Sequence, residues 1–142
     1  MKVIALQGKG NCGKTTTLRE LQKLIGSTAT SVYKENNLST LNDAWEVFEY
    51  QGKIVGITTR GDVKYLIEQD YKAMINAAGE LDVFVCAVHS YGQTVEYAKT
   101  LAGEDVFLKI SKSIVDTNDK INEQLWIDMV NNSQVQILLN VI

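Results

Sequence analysis

Short apolar runs alternate along this chain with longer segments in which apolar residues recur every three or four positions. Such alternation predicts an α/β fold, a three-layer sandwich in which helices cover both faces of a mostly parallel sheet. The predicted strands are 2–6, 28–34, 45–50, 53–59, 81–88, 106–110 and 134–141, and the predicted helices are 15–25, 63–78, one between Gly92 and Gly103, and 118–131.

Three of these segments carry more specific predictions. Only Gln51-Gly52 separates the strands 45–50 and 53–59, which predicts an antiparallel hairpin with glycine where a positive φ is needed. The run 81–88 is the most apolar in the chain and is typical of a central parallel strand. The buried face of the last helix is predicted to consist of Ile121, Leu125, Trp126, Met129 and Val130.

A glycine-rich segment joins the first strand to the first helix. It fits the pattern G-x-x-x-x-G-K-[ST] at every fixed position and predicts a phosphate-binding loop. Glycines at its positions 8, 10 and 13 allow unusual φ angles and close backbone contact with a phosphate. The helix N-terminus favours an anion, and the Thr15 hydroxyl is a suitable ligand for Mg²⁺. The predicted binding residues are Gly8, Lys9, Gly10, Asn11, Cys12, Gly13, Lys14, Thr15 and Thr16.

This segment resembles the Walker A motif of the P-loop NTPases. It is also similar to the variant K-G-G-x-G-K-[ST] of the nitrogenase iron protein and the chromosome-partitioning ATPases, with Lys9 at the first lysine and Asn11 replacing the second glycine. In that class the first lysine reaches the nucleotide of a partner subunit, so the resemblance implies a homodimer in which Lys9 has this role. The alternative is that Lys9 is simply a solvent-exposed lysine. The early hairpin resembles the small GTPases, whose sheet has one antiparallel edge strand.

Ligands of open α/β sheets bind beyond the carboxyl ends of the strands, which selects the loops 8–15, 35–37, 59–62 and 89–92. A carboxylate should hold Mg²⁺ there together with Thr15. The apolar strand 81–88 is followed by His89-Ser90 and no acid, a departure from the Walker B pattern. Asp62 is the first candidate to replace this missing acid as a magnesium ligand, and the alternative is that it is the N-cap of the next helix. Glu35 is the second, against an exposed loop acid.

Four residues are candidates for catalysis: Lys14, Arg60, Asp62 and His89. The guanidinium of Arg60 matches phosphate oxygens, and the alternative is a surface salt bridge. His89 is the sole histidine, and its loop position suits a general base or a group that orients water, against simple polar packing.

Composition adds limits. A net charge of −3, a pI near 5.1 and only two arginines give no sign of a nucleic-acid surface. No apolar run approaches the roughly 18 residues of a membrane-spanning helix, and no signal-peptide pattern opens the chain. We therefore expect one domain over 1–142, no membrane association and a cytoplasmic location, which the two separated cysteines also suit.

The leading hypothesis is Mg²⁺-dependent binding and hydrolysis of ATP, or an ATP-dependent switch. GTP is less favoured, because the segment 109–114 lacks the N-K-x-D pattern of GTPases. A small nucleotide or metabolite kinase is one alternative. A non-catalytic nucleotide-binding interaction module with a protein partner is another, and the missing acid after strand 81–88 keeps it open. An enzyme is favoured but not established by these patterns.

Overall fold

The computed structural model describes residues 1–34 and 45–142, and strands and helices alternate through these ranges. The elements in chain order are β1 (Lys2–Gln7), α1 (Lys14–Gly26), β2 (Thr30–Lys34), β3 (Trp45–Tyr50), β4 (Lys53–Thr58), α2 (Lys64–Ala78), β5 (Val83–Val88), α3 (Gln93–Ala102), β6 (Phe107–Ser111) and α4 (Glu123–Val141). The predicted α/β class is confirmed. The predictions at 35–37 and 38–44, including Glu35, lie outside the described residues.

The sheet contains six strands within the described ranges, in the order β2-β3-β4-β5-β1-β6. The strands β4, β5, β1 and β6 are mutually parallel, whereas β3 runs antiparallel to both of its neighbours. The predicted hairpin is confirmed: Gln51 and Gly52 have φ of 50° and 74°, as a two-residue turn of this hand requires. However, β2 pairs outside β3, so the antiparallel strand is internal and does not form the edge seen in small GTPases.

Helices cover both faces of the sheet, which gives three layers. Ile4 and Leu6 of β1 point to one face, in a buried cluster with residues of α1 and α4. Val3 and Ala5 point to the other, in a cluster with residues of α2 and α3. All six residues of β5 are buried, as expected of a central strand. On α1, Leu18, Leu21 and Ile25 have no exposed surface, and their spacing of three and four places them on one face of the helix.

The prediction of a closing strand at 134–141 is wrong, because α4 continues through this segment to Val141. Val135 and Leu138 are three positions apart and almost fully buried, and both join the cluster on the α1 side of the sheet with Ile142. This spacing suits one face of a helix. The strand β6 thus remains an edge of the sheet.

The predicted buried face of the last helix is also wrong. Ile121, which precedes α4, is 93% exposed, and the larger apolar side chains of the first half of α4 are about half exposed. These are Leu125, Trp126 and Met129, while Val130 is only partly buried. The buried residues of α4 are instead Asn131, Gln134, Val135 and Leu138.

One further position departs from prediction. Val63, the first residue of the helix predicted at 63–78, precedes α2 and is 50% exposed, whereas Ile67 and Met74 of α2 are fully buried. None of the described helices is both long enough and apolar enough to cross a membrane.

Candidate functional site

The candidate site lies at the carboxyl edge of the sheet, where the parallel strands β1, β4, β5 and β6 have their C-terminal ends. Three of the loops selected from the sequence, at 8–15, 59–62 and 89–92, begin after β1, β4 and β5 at this edge, although α1 already begins at Lys14. The fourth, with Glu35, lies outside the described residues. The connection after β6 also reaches this edge, because β6 is parallel to β1, and it was not predicted as part of the site.

The backbone of the glycine loop explains most of its residue types. Gly13 has φ of 93° immediately before α1, a conformation that favours glycine. Asn11 has φ of 59°, and asparagine enters this left-handed region more readily than most residues, so it can replace the second glycine of the variant motif. At Gly8 a Cβ atom would lie 2.6 Å from Cys12 Sγ. Gly10 has neither a positive φ nor a neighbour within 4 Å of such an atom, so the predicted conformational need for glycine is not found there.

The Lys14 ammonium lies inside the loop. Its Nζ donates hydrogen bonds of 2.6 Å to the carbonyl oxygens of Gly8 and Lys9 and lies 3.9 Å from Cys12 Sγ. The residue is only 6% exposed. In contrast, Lys9 is exposed to solvent. The loop therefore holds one positive charge at its centre and presents another outside.

A cavity of about 310 Å³ is lined by residues 11–16 together with Asp62. Thr15 Oγ1, at this cavity, donates a 3.4 Å hydrogen bond to the carbonyl of Thr59, so the ends of α1 and β4 meet here. The side chain of Asp62 does not cap α2, since Val63 occupies the N-cap position and α2 has no side-chain cap. The structure thus brings together two predicted metal ligands, Thr15 and Asp62.

These two residues offer a hydroxyl and a carboxylate, which are the hard oxygen donors that Mg²⁺ prefers. Among residues 1–34 and 45–142, no group of three or more His, Cys, Asp or Glu side chains is placed to hold a metal ion. Thr15 and Asp62 therefore offer two of the oxygen ligands that a magnesium ion would need.

Arg60 is engaged by a residue that the sequence reasoning missed. Its Nη1 lies 3.2 Å from Asp70 Oδ1 on α2, and Asp70 is 1% exposed. The other carboxylate oxygen accepts a 2.6 Å hydrogen bond from the Thr58 hydroxyl. Asp70 follows Ile67 by three positions and precedes Met74 by four. A carboxylate on the apolar face of an amphipathic helix is the signal that would have identified it.

His89 connects the loop after β5 to the segment after β4. Its Nε2 lies 2.8 Å from the backbone oxygen of Asp62, and because a carbonyl only accepts, Nε2 carries the proton. Its backbone N–H donates a 3.0 Å hydrogen bond to Thr94 Oγ1. Neither Arg60 nor His89 lines the cavity that Asp62 shares with the glycine loop.

A second cavity of about 420 Å³ adjoins the first and shares residues 11–13 and Thr16 with it. Its other walls are the segment 112–115 and five residues of α4: Gln124, Ile127, Asp128, Val130 and Asn131. Gln124 Nε2 donates a 2.9 Å hydrogen bond to Asp128 Oδ1. None of these five α4 residues was predicted as part of the site, and Val130 was predicted only as a buried residue of the last helix.

Lys112 lies between the second cavity and the glycine loop. Its side chain would be 3.3 Å from a Cβ at Gly8 and 3.5 Å from one at Gly13. Its Nζ donates hydrogen bonds to Ser113 O and, at 2.8 Å, to Asn131 Oδ1. Burial lowers the pKa of Lys112 below its ordinary value. The aliphatic part of the Lys112 side chain thus packs beside the loop from the β6 side, while its ammonium is bound by Ser113 and Asn131.

Comparisons of the chain with models of protein families, with curated proteins and with solved structures found no significant match.

Proposed function

We propose that this chain is a P-loop protein of the NTPase type that binds a nucleoside triphosphate with Mg²⁺, ATP in preference to GTP. The observation that carries the proposal is the meeting of Lys14, Thr15 and Asp62 around the N-terminus of α1, in a loop that fits the Walker A pattern. These residues supply a cation, a hydroxyl and a carboxylate to one small volume.

The phosphates would bind at the loop and the first turn of α1. Backbone N–H groups at a helix N-terminus have no partners within the helix and carry a partial positive charge. The Lys14 ammonium is held by two carbonyl oxygens of the same loop, from Gly8 and Lys9. A phosphate oxygen in the adjoining cavity offers this ammonium a charged acceptor in place of neutral ones, which strengthens the interaction.

Thr15 and Asp62 would hold a magnesium ion, which would neutralise part of the phosphate charge. Mg²⁺ usually keeps several waters and takes only one or two carboxylates from a protein when phosphates supply further oxygens. The pairing of one hydroxyl and one carboxylate at the phosphate cavity agrees with this habit. Asp62, from the segment after β4, thus takes the role that the missing acid after β5 would fill.

The base and sugar would occupy the second cavity. Its volume of about 420 Å³ falls within the range of about 300–1,000 Å³ that is usual for small-molecule sites, and it opens directly beside the phosphate loop. Ile127 and Val130 offer apolar walls for a purine ring. The Asp128 carboxylate is an acceptor for an exocyclic amino group. The preference for adenine rests on the absence of the N-K-x-D pattern from 109–114.

Hydrolysis of the bound nucleotide is the next step of the proposal, and phosphoryl transfer depends on positioning and charge neutralisation. One observation favours a second candidate, a nucleotide-binding module without rapid turnover. Arg60 is held by Asp70, and the Nε2 proton of His89 is directed at the Asp62 carbonyl. Neither side chain lines the phosphate cavity.

Calorimetric titration with ATP and GTP, each with Mg²⁺ and with EDTA, tests the proposal. Lys14→Ala is expected to weaken binding about 10- to 100-fold, because hydrogen bonds to a charged group contribute about 1.5–3 kcal/mol. Lys23→Ala is the matched control, since Lys23 lies on the same helix but pairs with Glu20 near its far end. It should bind as the wild type does.

Phosphate release by the wild-type protein then separates the candidates. Release with Mg²⁺–ATP alone indicates an NTPase, transfer only to an added acceptor indicates a kinase, and binding without either indicates the interaction module. Folded wild-type protein that binds neither ATP nor GTP would refute the proposed function.

A further inference from the structure

The segment Thr59–Asp62, which carries the proposed metal ligand, is held at both ends by side chains of other elements. At its beginning the carbonyl of Thr59 accepts the hydrogen bond from Thr15 Oγ1. At its end the carbonyl of Asp62 accepts the hydrogen bond from His89 Nε2. The position of the Asp62 carboxylate relative to Thr15 is thus determined by how this segment is fixed.

The middle of the segment is fixed by packing and by charge. Gly61 is so close to β5 that a Cβ atom would lie 2.2 Å from the carbonyl oxygen of Ala87. Beside it, Arg60 extends to Asp70 on α2, and its backbone N–H donates a 3.1 Å hydrogen bond to Thr58 Oγ1. The hydroxyl of Thr58 in turn donates to Asp70. One buried carboxylate therefore binds both the last residue of β4 and the segment that follows.

Stability alone does not account for a carboxylate at this place. Asp70 is 1% exposed and Thr58 is fully buried, and removing a charge from water carries a large penalty that its partners must offset. Well-packed apolar residues in place of a buried ion pair are often neutral or stabilising. What an apolar residue at 70 would not supply is an acceptor that fixes the directions of two different donors, Thr58 and Arg60.

We infer that Asp70 is a positioning residue, which acts through Thr58 and Arg60 to hold the segment Thr59–Asp62 so that Asp62 faces the metal position beside Thr15. This inference rests on the proposed function. It predicts that Asp70 controls the dependence of nucleotide binding on Mg²⁺, although it touches neither the nucleotide nor the metal. A role in stability alone predicts no such dependence.

The readout is the ratio of ATP affinity in Mg²⁺ to ATP affinity in EDTA, measured by calorimetry, with GTP as the second probe. Loss of the partners that orient a metal ligand typically lowers metal affinity about 10- to 100-fold. Asp70→Asn keeps the shape of the side chain and removes its charge, and it should lower the ratio about tenfold. The affinity in EDTA should stay within about twofold of the wild-type value, because the glycine loop and Lys14 are unchanged.

Two pairs of variants make the test specific. Thr58→Val removes the hydroxyl donor at nearly constant volume and should lower the ratio as Asp70→Asn does, whereas Thr58→Ser keeps the hydroxyl and should restore it. Glu68→Gln is the control on the same helix, since Glu68 pairs with Lys72 away from the segment. It should leave the ratio unchanged. If Asp70→Asn does not fold, the Thr58 pair still decides the question.

The failures of the two proposals are distinguishable. Folded wild-type protein that binds neither nucleotide refutes the proposed function. Wild-type protein whose binding depends on Mg²⁺, together with folded Asp70→Asn and Thr58→Val that keep the same ratio, overturns the positioning role and leaves the proposed function standing. Equal affinity of the wild type in Mg²⁺ and EDTA also overturns it, because Asp62 would then have no metal to meet.

Discussion

The contact between Gly61 and β5 makes a quantitative prediction for Gly61→Ala. The added Cβ would lie 2.2 Å from the carbonyl oxygen of Ala87, 2.5 Å from its carbonyl carbon and 2.6 Å from its Cβ. Real Cβ atoms do not approach other atoms so closely, so one of the two backbones must move. The strand β5 is central and fully buried, with partners on both sides, and cannot readily yield. The segment 59–62 should therefore move outward.

The cost follows from this geometry. Extra methyl groups in a well-packed interior typically cost about 1–3 kcal/mol, and the obstacle here is rigid backbone, so we expect about 3 kcal/mol. A matched control is Gly10→Ala, because Gly10 has no positive φ and no atom lies within 4 Å of its added Cβ. It should change the free energy of unfolding by less than about 0.5 kcal/mol.

Urea unfolding of the three proteins, followed by far-UV circular dichroism, measures both effects at once. With unchanged m-values, the difference in midpoint concentrations gives the difference in free energy of unfolding. A Gly61→Ala protein within about 0.5 kcal/mol of the wild type would show that the segment does not pack on β5 as described. A Gly10→Ala protein as unstable as Gly61→Ala would show that the argument from Cβ contacts fails in this chain.

Three other predictions concern the cysteines, Lys112 and α4. Burial raises the pKa of Cys86 to about 12, so only about 1 in 10,000 of its thiols is ionised at pH 8. A chromogenic disulfide reagent should therefore titrate one thiol, Cys12, in native protein and two thiols in urea. Two rapidly reacting thiols in native protein would contradict the buried position of Cys86. Burial holds the pKa of Lys112 below 10.5 in the folded protein, so the unfolded state binds the proton more tightly. The free energy of unfolding of the wild type, measured in urea, should therefore increase relative to that of Lys112→Gln as the pH rises from 7 toward 10.5. A stability difference that falls over this range would contradict the sign. In the second half of α4, Leu138 is fully buried and Ile137 is 49% exposed. Leu138→Ala should therefore lower the free energy of unfolding by about 2–5 kcal/mol, and Ile137→Ala by less than about 1 kcal/mol. Equal thermal shifts for the two variants would refute the assigned face of the helix.

Local signals were sufficient for much of this fold. The turn at Gln51-Gly52, the uniformly apolar strand β5 and the glycine-rich connection between β1 and α1 each depend on residues that are close in sequence, and each lies where it was predicted. The predicted need for glycine at position 10 was not found. The same holds for the loops at the carboxyl edge, because their position follows from strand direction alone. Whether these loops bind nucleotide stays a prediction.

The C-terminal region could not be predicted in this way. The run from Val135 to Val141 has apolar residues at alternate positions, as a strand has, and also at the spacing of three that a helix uses. The choice is made by partners distant in sequence. Asn131 bonds to Lys112, and Gln134 bonds to the backbone of Ser111, so two polar residues occupy the buried side of α4. Hydrophobic periodicity predicts that such polar residues face solvent, and it therefore predicts the wrong buried face for α4.

The candidate site was predicted unevenly for a similar reason. The glycine loop is a local motif, whereas the partners of Arg60 and His89 depend on how α2 and the segment 59–62 pack. Asp70 and the backbone oxygen of Asp62 engage these two side chains. The nearness of Asp62 to the glycine loop was anticipated from strand ends, but its anchoring was not.

The position of β1 in the sheet has a consequence for folding during synthesis on the ribosome. Both neighbours of β1 come from the second half of the chain, since it pairs with Val83–Val88 and Phe107–Ser111. A ribosome that adds about 5–20 residues per second needs roughly 5–20 seconds to make the residues between β1 and the end of β6. Until β5 and β6 have both been made, the strand that precedes the glycine loop lacks one or both of its sheet partners. A nascent chain therefore completes its candidate nucleotide site only after β6 has been made.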